Sequence, residues 1–289
     1  MRHFLLILLT LLLAGCRRAV PESVPSRTLF VSIAPQREAV QRIAGDAWDV
    51  RVLVPPGASP ETFSPDANTL NVLSRARAYL IVKAPMEEAL LPKLRALNAN
   101  LAVIDGTRGM AVESFGEEEG DGDDPHVWLS IPNMRSFAAT VADELARLDA
   151  AHARGYRERA AEYDGALAQL DADIWTRLAP LKGRIVLVYH PAFGYFLRRY
   201  GLRQLSIERE GKEPTGGHLT AVMAAARADG TPALFVQPQF NPKPAQTLAR
   251  ELKCSLVTLD PLPKSYLVDI EELANKIAEA YGLPDTHTP

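Results

Sequence analysis

Beyond its first fifteen residues the chain has five histidines, His126, His152, His190, His218 and His287. His190 directly follows the apolar run Ile185 to Tyr189, which puts it at the carboxyl end of a strand in a parallel sheet. Ligands of open α/β sheets bind outside the carboxyl ends of the strands. The same rule selects Asp260, which ends the run Leu256 to Leu259, Glu61 in the loop Pro55 to Phe63, and His126 in the stretch DDPHVWLS that ends at Ser130. Two imidazoles and two carboxylates are a sufficient donor set for a divalent transition metal. A histidine at a strand end is more often hydrogen-bonded structure than ligand, and these spacings form no short motif, so residue types alone leave both readings open. His152 opens a long helical pattern, His287 lies near the C-terminus, and His218 in Pro214 to Thr220 sits at a helix entrance. All three read as surface residues.

The elements that must hold the four candidates alternate. β-type runs fall at 29–34, 50–54, 78–82, 101–105, 185–190, 202–207, 233–236 and 256–260. Helical patterns fall at 36–43, 68–75, 86–97, 191–200, 219–228, 242–253 and 268–281. Strands alternating with helices imply parallel sheets of βα units, here two lobes of four strands each. Between them, Tyr156, Ala160, Tyr163, Leu167, Leu170, Ile174, Leu178 and Leu181 recur at steps of three and four, one apolar face of a single long helix. Such a helix is a rigid spine between lobes, and the cleft it leaves should open and close little. The predicted division is 1–15 signal, 16–27 tether, 28–133 N-terminal lobe, 134–182 connecting helices, 183–284 C-terminal lobe and 285–289 tail.

A net charge of −3 leaves no electrostatic footprint for nucleic acid. Phe4 to Leu13 is a largely apolar run of about ten residues after Arg2 and His3, too short for a bilayer, which takes ~20. It reads as a signal peptide. The join LLAGC looks like a bacterial lipobox, with Cys16 lipidated after cleavage and the protein held outside the cytoplasmic membrane. The one other cysteine, Cys254, precedes an apolar run and reads as a small buried hydrophobe.

Several ordered stretches, VLVPPGASPETFSPD, DPHVWLS, YHPAFGYFLRRYGL, IEREGKEPTGGHLT and VQPQFNPKPAQTLARELK with VTLDPL, resemble the cluster A-I metal receptors, the zinc and manganese substrate-binding lipoproteins of bacterial ABC importers. The resemblance covers nearly the whole chain past the tether. It implies two βα lobes joined by a backbone helix, one metal ion between them, and delivery of that ion to a membrane permease and its ATPase by a monomeric receptor. Its ligand positions fall on Glu61, His126, His190 and Asp260. The family usually has His where this chain has Glu61, and Gln237 stands where a Glu commonly precedes Pro-Gln. Gln237 is therefore a candidate for hydrogen bonding behind a ligand.

With Glu61 and Asp260 both ionised, a bound divalent ion is neutralised, and oxygen donors widen the choice toward Mn²⁺ or Fe²⁺, while the affinity order still ranks zinc first. Unperturbed histidines would lose the ion below about pH 6.5. The acidic loop residues Glu117, Glu118, Glu119, Asp121, Asp123 and Asp124 could gather cations. The rival readings are a zinc hydrolase, though the chain has no HExxH, a cofactor or siderophore receptor, and an adhesin-type lipoprotein.

Overall fold

A computed structural model describes residues 27–115, 122–209 and 212–284. The signal and tether with Cys16, the residues Glu117, Glu118, Glu119 and Asp121, and His287 lie outside the described residues.

The N-terminal sheet contains β1 (Thr28–Val31), β2 (Asp49–Val52), β3 (Ala78–Ile81) and β4 (Ala102–Asp105) in the order β2-β1-β3-β4. The C-terminal sheet repeats that order with β5 (Ile185–Val188), β6 (Arg203–Ser206), β7 (Ala233–Val236) and β8 (Ser255–Thr258), as β6-β5-β7-β8. Every pairing is parallel. The inner strands TLFV, AYLI, IVLV and ALFV are buried throughout, whereas the outer strands, such as DVRV and SLVT, bury fewer residues. Unbroken apolar runs are what a strand covered on both faces by helices requires.

Those helices are α1 (Ala34–Ala44), α2 (Ala67–Ser74) and α3 (Pro85–Leu97) in the first lobe. In the second they are α6 (Gly194–Arg199), α7 (Gly216–Asp229) and α8 (Pro242–Leu252). The connection is α4 (Ile131–Leu148) followed after a short turn by α5 (Ala153–Leu178). At 26 residues α5 is a rod of about 39 Å. Its buried face is Tyr156, Ala160, Tyr163, Leu167, Leu170, Ile174 and Leu178, the stripe that the spacing predicts. The last helix, α9 (Tyr266–Ala280), leaves the second sheet and packs back on α5 and α1. One core cluster consequently runs from Leu29 and Ile33 in the first lobe through Leu167 to Phe235 and Ile277. A smaller cluster around Leu187, Leu205 and Leu234 fills the far side of the second sheet. Cys254 packs at the border of that cluster and is half-buried, where burial pushes its thiol up. No described helix is long and apolar enough to cross a membrane.

Candidate metal centre

In each sheet the strand order reverses direction between its two inner strands, and loops leaving the carboxyl ends converge on the seam between lobes. The seam holds Glu61 from the loop after β2, His126 at the end of the loop after β4, and His190 two residues past β5. One donor atom from each lies within 4.8 Å of the others. Among the described residues this is the one such group of histidine, cysteine and carboxylate side chains.

Each histidine is held from behind. Asp124 Oδ1 lies 2.8 Å from His126 Nδ1 and also accepts from the His126 backbone N–H at 2.9 Å. Glu208 Oε2 lies 2.9 Å from His190 Nδ1. A carboxylate on Nδ1 fixes the ring so that Nε2 points forward. Both Nε2 atoms then meet Glu61 Oε1, His190 at 3.0 Å and His126 at 3.6 Å. His126 and His190 are 3% and 4% exposed, so neither ring is available to solvent as a surface histidine would be. Gln237 reinforces His190 through the main chain, its amide oxygen accepting from His190 N–H at 3.3 Å and its amide nitrogen donating to the His190 carbonyl at 2.8 Å.

These contacts set the protonation. Burial works against a charge on His190, but its hydrogen bonds to Glu208 and Glu61 and the charges of both outweigh that, and the ring is pushed up to about 9. Burial also works to raise Glu61; the hydrogen bond and charge of His190, with His126 behind, hold it below the usual carboxylate range. The expectation of a histidine window near pH 6.5 is therefore too low for His190, because Glu208, which the sequence reading did not single out, backs it.

Two further expectations change. Asp124 is no member of a solvated gathering loop: it is buried, and beside its contact with His126 it faces Arg198 of α6 at 3.6 Å. Asp123, exposed one residue earlier, lines the wider cleft of about 520 Å³ that flanks Glu61 and His190 with Lys83, Glu88 and Lys212. Asp260 stands apart from the three convergent donors. It is exposed, and its Oδ1 accepts from Gln239 Nε2 at 2.8 Å and from the Leu262 backbone N–H at 3.0 Å. His218 is half-buried in the first turn of α7, its Nε2 3.2 Å from the Ser206 carbonyl oxygen.

The first lobe's share of the site is stitched to the second. Trp128 Nε1 donates to the Pro261 carbonyl at 2.7 Å, Tyr266 Oη donates to the Trp128 carbonyl at 2.7 Å, and Tyr195 Oη accepts from Glu113 N–H at 2.8 Å. The small space among Ser59, Glu61, His126, His190, Gln239 and Phe240 measures about 20 Å³. That is room for an ion or about one water, far below the 300 Å³ or more of an organic-ligand pocket.

The chain is similar to several known metal-binding proteins. The chain is 26% identical over 251 residues to the zinc-binding protein AdcA of Streptococcus pyogenes serotype M3, covering 79% of this chain and 49% of that protein. It thus spans about half the length of its streptococcal relatives. It is 25% identical over 246 residues to the manganese-binding lipoprotein MntA of Halalkalibacterium halodurans, covering 82% and 81% of the two chains. A crystal structure of ZnuA superposes with a TM-score of 0.83 at 34% identity, covering 88% of this chain and 98% of that one. Residues 29–280 match the family described as ZnuA, zinc-uptake complex component A, periplasmic, and the chain belongs to that family.

Proposed function

We propose that this protein is an extracytoplasmic receptor that captures one divalent transition metal ion and hands it to the permease of an ABC importer. The observation that carries this reading is the convergence of His126 Nε2 and His190 Nε2 on Glu61 Oε1, with Asp124 and Glu208 behind the two rings. In the metal-free protein the proton on His190 holds the place of the cation. An arriving ion displaces it, takes Nε2 of both rings and the Glu61 carboxylate, and leaves Nδ1–H donating to the carboxylates behind. Asp260 is not part of that convergence, and both its hydrogen bonds fall on Oδ1. Glu61, Asp124 and Glu208 together offset the ion's charge, which makes its burial feasible. Zinc ranks first on the affinity order, with manganese or ferrous iron admitted by the oxygen donors. The ion enters from the flanking cleft past Glu88 and Asp123.

Binding and release suffice for this role, and no catalysis is required. The anchor belongs to the same reading: a lipid on Cys16 would keep a monomeric receptor beside its permease. Metal titration of the purified protein, zinc against manganese and iron in wild type and Glu61→Ala, tests the assignment. Glu61→Ala should bind at least about tenfold more weakly. Equal affinities in the two proteins would remove Glu61 from the site.

A further inference from the structure

Gln239 lies in the loop after β7, two residues beyond Gln237, and lines the same small cavity as Glu61, His126 and His190. Its amide nitrogen donates to Asp260 Oδ1 at 2.8 Å. A carboxylate only accepts, so the amide cannot be turned round: nitrogen faces Asp260 and oxygen faces the other way. That oxygen is buried and has no hydrogen-bond partner among the described residues. A buried acceptor left without a donor is costly and is rare in folded proteins. In a cavity lined by three convergent metal donors, a cation is the partner whose chemistry satisfies it.

We propose that Gln239 Oε1 is a ligand of the captured ion, and that Asp260 acts through Gln239 as a positioning residue. This rests on the receptor reading above and sharpens it. The Asp260 carboxylate fixes the amide and, by accepting from its N–H, draws electron density toward the oxygen. The resulting shell has two imidazole nitrogens, the Glu61 carboxylate and a neutral amide oxygen. A hard oxygen added without charge benefits Mn²⁺, which accepts more than four oxygen-rich contacts, more than it benefits Zn²⁺, which is satisfied by four donors. Gln239 then sets the selectivity of the site, while the histidines set its strength.

The test titrates Mn²⁺ alone and Zn²⁺ alone into the full-length wild-type protein, Gln239→Leu, Gln239→Glu and Asp260→Ala. Gln239→Leu should weaken Mn²⁺ at least about tenfold and Zn²⁺ by less than about threefold, a loss on the scale of removing a group that tunes a metal site. Asp260→Ala, in which the amide is no longer fixed, should lose Mn²⁺ affinity by no more than Gln239→Leu does, and Gln239→Glu, which keeps an oxygen in place and adds a charge, should tighten Mn²⁺ relative to Zn²⁺. If the leucine variant fails to fold, the glutamate variant still reads out, because an unchanged ratio of the two affinities there contradicts the proposal. An unmoved ratio in Gln239→Leu overturns it, as does a larger Mn²⁺ loss in Asp260→Ala than in Gln239→Leu, since Gln239 would then merely prop Asp260. A wild-type protein that binds neither ion defeats the receptor reading itself. Wild-type binding of both ions with an unmoved ratio defeats the Gln239 assignment alone.

Discussion

His190 carries a proton in the metal-free protein at neutral pH, and an ion must displace it. The group's value is raised, so the charged ring and its pairing with Glu208 and Glu61 are retained below pH 6.5 and lost as pH rises through about 9. Metal affinity follows the opposite course. It should climb by about tenfold per pH unit toward pH 9 and level above it, with about one proton released per zinc bound at pH 7. Calorimetry in buffers of different ionisation enthalpy measures that proton count, and a count of zero would contradict the pairing. Glu208→Gln removes the charge behind the ring. It should move the titration toward neutral pH and cost about tenfold to a hundredfold in affinity at high pH, where proton competition is absent.

At the scale of elements, two helix starts hold the site, and each makes a test. In α6 a Cβ on Gly194 would come within 2.7 Å of Asp124 Oδ2 and of Arg198 Nη1. Gly194→Ala should push the Asp124 carboxylate off His126 and weaken zinc binding about tenfold, read by the same titration. At the start of α3, Glu87 is buried; Ser32 Oγ donates to its Oε1, and so does the Val82 backbone N–H at 3.2 Å. The same helix start reaches the Glu61 loop through Met86 N–H, which donates to the Pro60 carbonyl at 3.3 Å. Burial pushes Glu87 up to about 7, against the pull of Ser32 and nearby backbone amides. A raised acid favours the fold fully below its unfolded value near 4.5, and that advantage is lost as pH rises to 7. Above pH 7 the charged form costs roughly 3 kcal/mol. Glu87→Gln removes the titration. Its melting temperature should exceed that of wild type at pH 8 and approach it at pH 5, and parallel melting curves across that range would exclude the buried acid as the cause.

At the scale of the whole molecule, α5 and the returning α9 tie both sheets into one core, while Trp128, Tyr195 and Tyr266 pin the His126 segment across the seam. Opening the cleft widely would break that core, so ion uptake and release should proceed by movement of the Glu61, His126 and Gln239 loops. Small-angle scattering should give the same radius of gyration with and without zinc, within the error of the measurement. A marked contraction on adding metal would place a hinge where the packing leaves none.

What the sequence determined by itself was the periodic part. Alternating strands and helices, the apolar stripe of the spine, and the strand-end position of His190 follow from local pattern, because burial on two faces or one stripe dictates residue type at each step. Tertiary structure alone decided what faces these residues. Glu208, eighteen positions after His190, and Asp124, the last acid of an acidic run, become the carboxylates behind the two rings only when the loops fold together. Asp260 sits at a strand end as the pattern predicts, yet its Oδ1 accepts from Gln239, a contact that the quoted stretch VQPQF does not announce. Spacing along a chain specifies which loop a side chain belongs to, and hydrogen-bond competition among converged loops specifies where its donor atom points.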